Sequence, residues 1–240
     1  MPQSHIGAAI LRTIDDLRGP AGRLEALLNA GSPHAPYAAL VCHPHPLGGG
    51  TMHNKVVYHT MKAFQSFGLP VLRFNFRGTE LSEGQHDYGL GEQDDVRAAL
   101  DWLEQEFHRP ILFAGFSFGS YVGLRACCGD PRVVGLVALG LPAHAEGRDY
   151  DYAFLRSCPH PKLFISGDHD QYGPAPAVEA AVAITPQPKQ LVWIAGADHF
   201  FAPPRATDSP APPSAGSKLG EVRNAIRLWA LASFPSLGGQ

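Results

Sequence analysis

Cysteine is scarce in this chain: there are four in 240 residues (Cys42, Cys127, Cys128 and Cys158), with no C-x-x-C pair and no regular spacing. That excludes a disulfide framework and a cysteine-rich zinc site. Cys127 and Cys128 are adjacent, an awkward geometry for bridging each other, and read as small helix hydrophobes. Charge is sparse as well, at 17% of residues and a formal net charge of −3, with both signs scattered. No basic stripe of the kind a phosphate backbone demands is present, so nucleic acid is not an expected partner. No apolar run reaches membrane-spanning length, and MPQSHIGAAILRTIDDLRG has neither a basic n-region nor a long apolar h-region. A membrane is therefore not expected as a partner, and the expected location is the cytoplasm. The phosphate-cradling pattern G-x-x-x-x-G-K-[ST] and the zinc pattern H-E-x-x-H are both missing.

What the chain has instead is apolar material, 45% of residues, enough for one large core. The length suits a single α/β domain over residues 1–240. Strand candidates are Ala8–Ile14, Leu24–Asn29, Ala38–Cys42, Val71–Phe76, Ile111–Gly115, Val133–Leu139, Lys162–Ser166 and Gln190–Ile194. From Ala38 onward they are near-continuous Val/Leu/Ile/Phe runs, as parallel strands covered on both faces are. Helix candidates alternate with them: Lys55–Phe67, Asp94–Phe107, Phe118–Cys128, Ala175–Ile184 and Lys218–Phe234, with a short one at Tyr150–Arg156. The alternation implies right-handed crossovers and a mostly parallel sheet of about eight strands, with helices on both faces. The first two strands lack a helix between them and are expected as an antiparallel edge. Ala202–Ser217, APPRATDSPAPPSAGS, is a proline-rich loop, read either as a surface excursion or as a rim to the active site.

The strongest chemical signal is Gly115-Phe116-Ser117-Phe118-Gly119, directly after the apolar ILFA and at the start of a helix. That is the context of a nucleophile elbow, where a tight strand-to-helix turn presents a serine hydroxyl and the flanking glycines leave room for the helix to meet the strand. A nucleophilic serine needs a base, and the base an orienting carboxylate, in the chain order Ser, acid, His. His199, in GADHFF just past the last strand candidate, is the expected base. His144 precedes every plausible acid, and His160 sits before a strand, at the wrong end of the sheet. For the acid, Asp168 and Asp170 both follow LFIS, and Asp170 is preferred as better able to turn back toward His199. Asp198 reads as a turn residue. Oxyanion donors are expected from the backbone N–H of Phe118 and from the loop His43-Pro44-His45-Pro46-Leu47-Gly48-Gly49-Gly50, where Leu47 is the better donor because Pro46 has no N–H. His43 and His45 alone supply too few ligands for a metal, so no metal and no cofactor are expected.

The run HPHPLGGGTMHNKVV, then LRFNFRG, SEG, GFSFG, GDHD and GADHFF resembles the small, lidless α/β hydrolases related to dienelactone hydrolases. The resemblance covers roughly Ala8 to Phe234. It implies an α/β-hydrolase fold with little or no lid, Ser117 as nucleophile, Asp170 as acid, His199 as base, and Leu47 and Phe118 as oxyanion donors. Dienelactone hydrolases proper carry cysteine at the elbow, so their substrate is not carried over. The segment after Arg77-Gly78 also departs, reading Thr-Glu-Leu-Ser-Glu-Gly where relatives usually have a second glycine before the serine. The expected activity is hydrolysis of small-molecule carboxylic esters with short or compact acyl groups. A thioesterase, peptidase or acyltransferase would use the same residues, and a non-catalytic interaction module would keep only the fold. Arg77, Glu92, Asp94 and Asp95 are expected as buried ion pairs near the sheet edge. Phe116, Phe118, Phe200 and Phe201 flank the catalytic positions and either line a pocket or simply pack.

Overall fold

A computed structural model describes residues 10–145, 147–203 and 217–238. Most of the proline-rich stretch, 204–216, lies outside the described residues, and with it the question of whether that stretch rims the site. Eight strands form one sheet: β1 (Leu11–Ile14), β2 (Ala26–Asn29), β3 (Ala38–Cys42), β4 (Val71–Phe74), β5 (Ile111–Phe116), β6 (Val133–Leu139), β7 (Lys162–Gly167) and β8 (Lys189–Ile194). Their spatial order is β1-β2-β4-β3-β5-β6-β7-β8. β1 pairs antiparallel with β2 and β2 with β4, and every pairing beyond is parallel. This is the mostly parallel sheet with an antiparallel start that the alternation implied.

Period-two alternation divides the apolar strands between two cores. Ala38, Leu40 and Cys42 of β3 face one cluster, with Val96, Leu100 and Leu103 of α2 (Gly91–Phe107), Val122 of α3 (Phe118–Cys127) and Val178 of α4 (Ala175–Ala183). Ala39 and Val41 face the other, with Val57 and Met61 of α1 (Lys55–Gln65) and Ile226 and Trp229 of α5 (Leu219–Ser233). Helices therefore cover both faces, which is why the strands read as unbroken apolar runs.

Several boundaries differ from the sequence reading, each for a local reason. β2 starts at Ala26 because Glu25 N–H donates to Ser82 Oγ (2.9 Å) and Gly22–Arg23 instead pairs with Arg18–Gly19 in a short hairpin. β4 ends at Phe74 because the groups beyond it leave the ladder, the Asn75 carbonyl accepting from Ser82 Oγ (2.7 Å) and the Phe76 N–H donating to His43 Nε2 (2.9 Å). α2 begins at Gly91, three residues before Asp94, because the Asp87 carboxylate takes the Gly91 N–H at 2.9 Å. Among the described residues, the link between β6 and β7 holds no α-helix. It carries a hairpin pairing His144–Ala145 with Arg148–Asp149, then a 3₁₀ turn at Ala153–Ser157. The reading of Cys128 as a plain hydrophobe is corrected too: it is bonded to Cys158, with a Cα–Cα separation of 5.1 Å. Their separation of 30 residues hid the pair, which forms because the C-terminus of α3 packs beside the segment entering β7. Cys42 and Cys127 are free and buried, and burial pushes both thiols well above their ordinary range.

Candidate active site

Ser117 sits between the end of β5 and the first residue of α3, at φ 54° and ψ −122°. A non-glycine residue with positive φ stores backbone strain, which the surroundings must over-determine. They do. Ser117 N–H donates to the Leu139 carbonyl (2.9 Å), and its own carbonyl accepts from Ser120 N–H and Ser120 Oγ. The two glycines of the motif are close approaches rather than hinges. A β-carbon on Gly115 would lie 2.4 Å from the Gly119 carbonyl oxygen, and one on Gly119 would lie 2.3 Å from the His43 carbonyl oxygen. The missing side chain at Gly115 lets α3 pack on β5, and the one at Gly119 lets the elbow fit against the loop after β3.

The structure brings Ser117, His199 and Asp170 together from three sequence-distant loops. Ser117 Oγ lies 2.9 Å from His199 Nε2, and His199 Nδ1 lies 2.8 Å from Asp170 Oδ2. With Nδ1 carrying the proton toward the carboxylate, Nε2 is left as an acceptor for the serine hydroxyl. Asp170 Oδ1 accepts the backbone N–H groups of Tyr172 (2.8 Å) and Gly173 (3.0 Å), so the carboxylate is fixed in the loop after β7. Asp168 is placed differently: it is solvent-facing and pairs with His169 Nδ1 at 2.8 Å, a contact that holds its carboxyl below the usual range. Asp198 is the expected turn residue, accepting the N–H groups of Phe200 and Ala202.

Around Ser117 lies a cleft of about 120 Å³. One wall is the loop after β3, with Pro44, His45, Gly48, Gly49 and Gly50, continued by Asn54 at the start of α1. The other carries His199 with Tyr172 and Phe200, whose rings lie 4.8 Å and 5.3 Å from the imidazole, and Ala145 from the hairpin. Of the four flanking phenylalanines, only Phe200 lines the cleft, while Phe116, Phe118 and Phe201 are buried. Phe118, the first residue of α3, has no intrahelical acceptor for its N–H. Leu47 stands in the 3₁₀ turn Pro46–Gly48, its side chain 70% exposed and its N–H donating to His45 Nδ1 at 3.2 Å.

The chain has known counterparts. Residues 38–224 match the α/β hydrolase domain family. The chain belongs to that family. It is 40% identical over 191 residues to an uncharacterized protein of Rickettsia prowazekii, covering 76% of this chain and 79% of the relative. Among solved structures it is similar to an alpha-beta serine hydrolase homologue from Coxiella burnetii, at 33% identity and a TM-score of 0.75, covering 94% of this chain and 99% of the other. It is also similar to a serine hydrolase without a lid from Xanthomonas campestris, at 31% identity and a TM-score of 0.74, covering 97% and 96%.

In this α/β hydrolase the LRFNFRG motif of β4 does supporting work. Asn75 Oδ1 accepts the Met52 N–H at 2.8 Å and Arg73 donates to the Met52 carbonyl at 3.1 Å, so Met52, two residues ahead of Asn54, is held at both its N–H and its carbonyl. The His43 ring bridges Phe76 N–H and the Pro44 carbonyl (2.7 Å), setting the turn out of β3 and using both ring nitrogens. Its role is structural, not metal-ligating. Arg77 and Asp95 form the expected buried ion pair at 2.7 Å. Glu92, also buried, instead accepts the Asp87 and Gly89 N–H groups and faces His86. Asp94 departs from expectation, pairing with Arg97 at the helix surface because it projects from the outer face of α2. In the divergent loop, Glu80 takes φ 49°, the left-handed backbone a glycine would favour, so the turn persists without the glycine. Asn54, Tyr172 and Ala145 were not singled out by the sequence reading. Asn54 had a signal, its place before an apolar helix, and Ala145 had none.

Proposed function

We propose that this chain is a serine carboxylesterase acting on small-molecule esters with short or compact acyl groups. The reading is carried by one observation: the continuous path from Ser117 Oγ through His199 to Asp170, at 2.9 and 2.8 Å, opening on a cleft. Ser117 Oγ attacks the ester carbonyl carbon and passes its proton to His199 Nε2. Asp170 keeps the imidazole oriented and stabilises the imidazolium. The carbonyl oxygen, now an oxyanion, takes the N–H of Phe118 at the positive end of α3 and that of Leu47. The Leu47 bond to His45, at the long end of the hydrogen-bond range, has to give way to that oxygen. The bond to the alkoxy oxygen then breaks, and His199 returns the proton to the departing alcohol. Water adds to the acyl-enzyme, giving its proton to His199, and the acid leaves as Ser117 Oγ is reprotonated.

Labelling with a fluorophosphonate, followed by mass mapping, tests the nucleophile directly. The expected result is a single adduct on Ser117, absent from Ser117→Ala, together with Ser117-dependent turnover of esters above matched thioesters and amides. Protein that reacts no faster than Ser117→Ala leaves a binding module on a hydrolase fold. As for place in the cell, no helix among the described residues is long and apolar enough to cross a membrane. The Cys128–Cys158 bridge pulls against the cytoplasmic expectation, because disulfides persist chiefly in oxidising compartments.

A further inference from the structure

The two walls of the cleft are chemically unlike, and the reaction assigns each a part of the substrate. His199 Nε2 must reach the leaving oxygen, so the alcohol departs along the wall that carries His199, Tyr172 and Phe200. Those two rings are 37% and 47% exposed, and they give the alcohol an apolar, flat surface. The acyl group is left facing the opposite wall, Pro44 and His45, then Gly48 to Gly50 and Asn54. That wall is bare of side chains at its glycines. A β-carbon on Gly48 would meet nothing nearer than 3.9 Å, and one on Gly49 nothing within 4 Å. The side chain that continues the wall beyond them is Asn54, and it is polar.

Asn54 is oriented by the chain itself. Its Oδ1 accepts the Val56 N–H at 2.8 Å as the N-cap of α1, and Met52, two residues earlier, is gripped by Arg73 and Asn75. With the oxygen committed, the Nδ2 end carries two N–H donors. No acceptor for them is found among the described residues. A fixed donor pair on the wall of a small cleft discriminates by what it leaves unpaired. An acyl chain bearing an oxygen acceptor satisfies it, and an alkyl chain of the same shape desolvates it without return. We propose that Asn54 is a substrate-binding residue that selects short acyl groups carrying an oxo or ether oxygen over their alkyl isosteres. The proposal rests on the esterase reading and names the substrate class of the same site.

Isosteric p-nitrophenyl esters test it: methoxyacetate against butyrate, and 4-oxopentanoate against 4-methylpentanoate. Each kcat/KM is divided by the ester's own rate of hydroxide hydrolysis, which removes the electronic effect of the oxygen. The wild-type preference for the oxygenated member should be about fivefold or more, the worth of one neutral hydrogen bond. Asn54→Asp and Asn54→Ser both keep a capping oxygen for Val56, so α1 retains its start. Asn54→Ser should reduce the preference to about one, and Asn54→Asp should take it below one because it presents acceptors and charge. A wild-type ratio near one, or a ratio unchanged in both variants, overturns the assignment of Asn54 while Ser117-dependent ester turnover stands. If no ester is turned over through Ser117, the esterase reading fails and this inference fails with it.

Discussion

His199 Nδ1 and Asp170 Oδ2 stand 2.8 Å apart with both side chains buried, and the second carboxylate oxygen is held by two backbone N–H groups of the same loop. The carboxylate therefore has three donors and no freedom to turn away. Asp168, two residues earlier, faces solvent and pairs with the neighbouring His169. The distinction was only half visible in the strand-loop sequence GDHD, where either carboxylate satisfied the chain order. Asp170 is the one whose carboxylate the turn at Tyr172-Gly173 holds beside His199.

That difference predicts unequal variants. Asp170→Asn should lower kcat/KM on the order of 10²–10⁴-fold, because the amide presents a donor or a weaker acceptor to Nδ1 and releases the imidazole from its tautomer. His199→Ala should remove nearly all turnover. Asp168→Asn should stay within a few-fold of wild type. Steady-state kinetics on p-nitrophenyl acetate checks all three, and an Asp168→Asn loss larger than that of Asp170→Asn reverses the assignment.

The elbow makes a prediction about folding as well as activity. Gly119→Ala would place a β-carbon 2.3 Å from the His43 carbonyl oxygen, which belongs to the backbone and cannot swing aside. Either α3 shifts from β5 or the loop after β3 shifts from α3. Both movements separate the groups proposed to hold the oxyanion. The expected loss of stability is about 2 kcal/mol or more in urea unfolding, with a drop in kcat at temperatures where the variant stays folded. A variant equal to wild type in both would show that the fit of elbow to loop is looser than this contact requires.

Much of this site was legible in the sequence because each part of it has a local signature. Ser117 stands where an apolar run ends and a helix begins, and His199 follows the last strand. The same periodicity that revealed the strands split their residues between two cores, as with Ala38 and Leu40 against Ala39 and Val41. What stayed hidden depends on tertiary neighbours. The pairing of Cys128 with Cys158, the turning outward of Asp94 and the replacement of a crossover helix by the His144–Asp149 hairpin carry no period of their own. Asn54 read as the residue before a helix, which it is. That the same carboxamide also borders the cleft follows from how β4 grips Met52, and sequence spacing does not express that.

His43 links the site's framework to pH. Burial lowers its imidazole from an ordinary 6.5 to about 3, partly offset by its bond to the Pro44 carbonyl and reinforced by nearby His45. The folded protein keeps the ring neutral, donating to Pro44 and accepting from Phe76, across the range in which the unfolded chain takes up a proton. The unfolded state therefore binds more protons between pH 6.5 and about 3, and the contribution to stability is lost as pH falls through that window. The slope from this one group is up to about 1.4 kcal/mol per pH unit. His43→Gln, which retains an acceptor for Phe76, should flatten the acid limb of the urea-unfolding profile by about one proton. An unchanged slope would mean that the ring protonates in the folded state.

The last expectation concerns acyl length. The cleft holds about 120 Å³, and its walls are the glycine-rich loop after β3 with Asn54, the rings of His199, Tyr172 and Phe200, and one alanine from the hairpin between β6 and β7. That hairpin and the 3₁₀ turn after it occupy the place in the chain where a lid would be inserted, and neither is large enough to enclose a fatty chain. Once the first few carbons fill the cleft, each further methylene extends toward solvent. It then gains only a fraction of the roughly 0.8 kcal/mol that full burial gives. For a homologous series of p-nitrophenyl esters from acetate to palmitate, kcat/KM should rise over the first additions, peak at a short chain and then level or fall. Gly48→Val adds bulk on the acyl wall without meeting its own backbone, since a β-carbon there touches nothing nearer than 3.9 Å. The peak should move to shorter chains in that variant, with acetate least affected. A maximum at ten carbons or beyond, insensitive to Gly48→Val, would place the acyl chain somewhere other than along the glycine-rich wall.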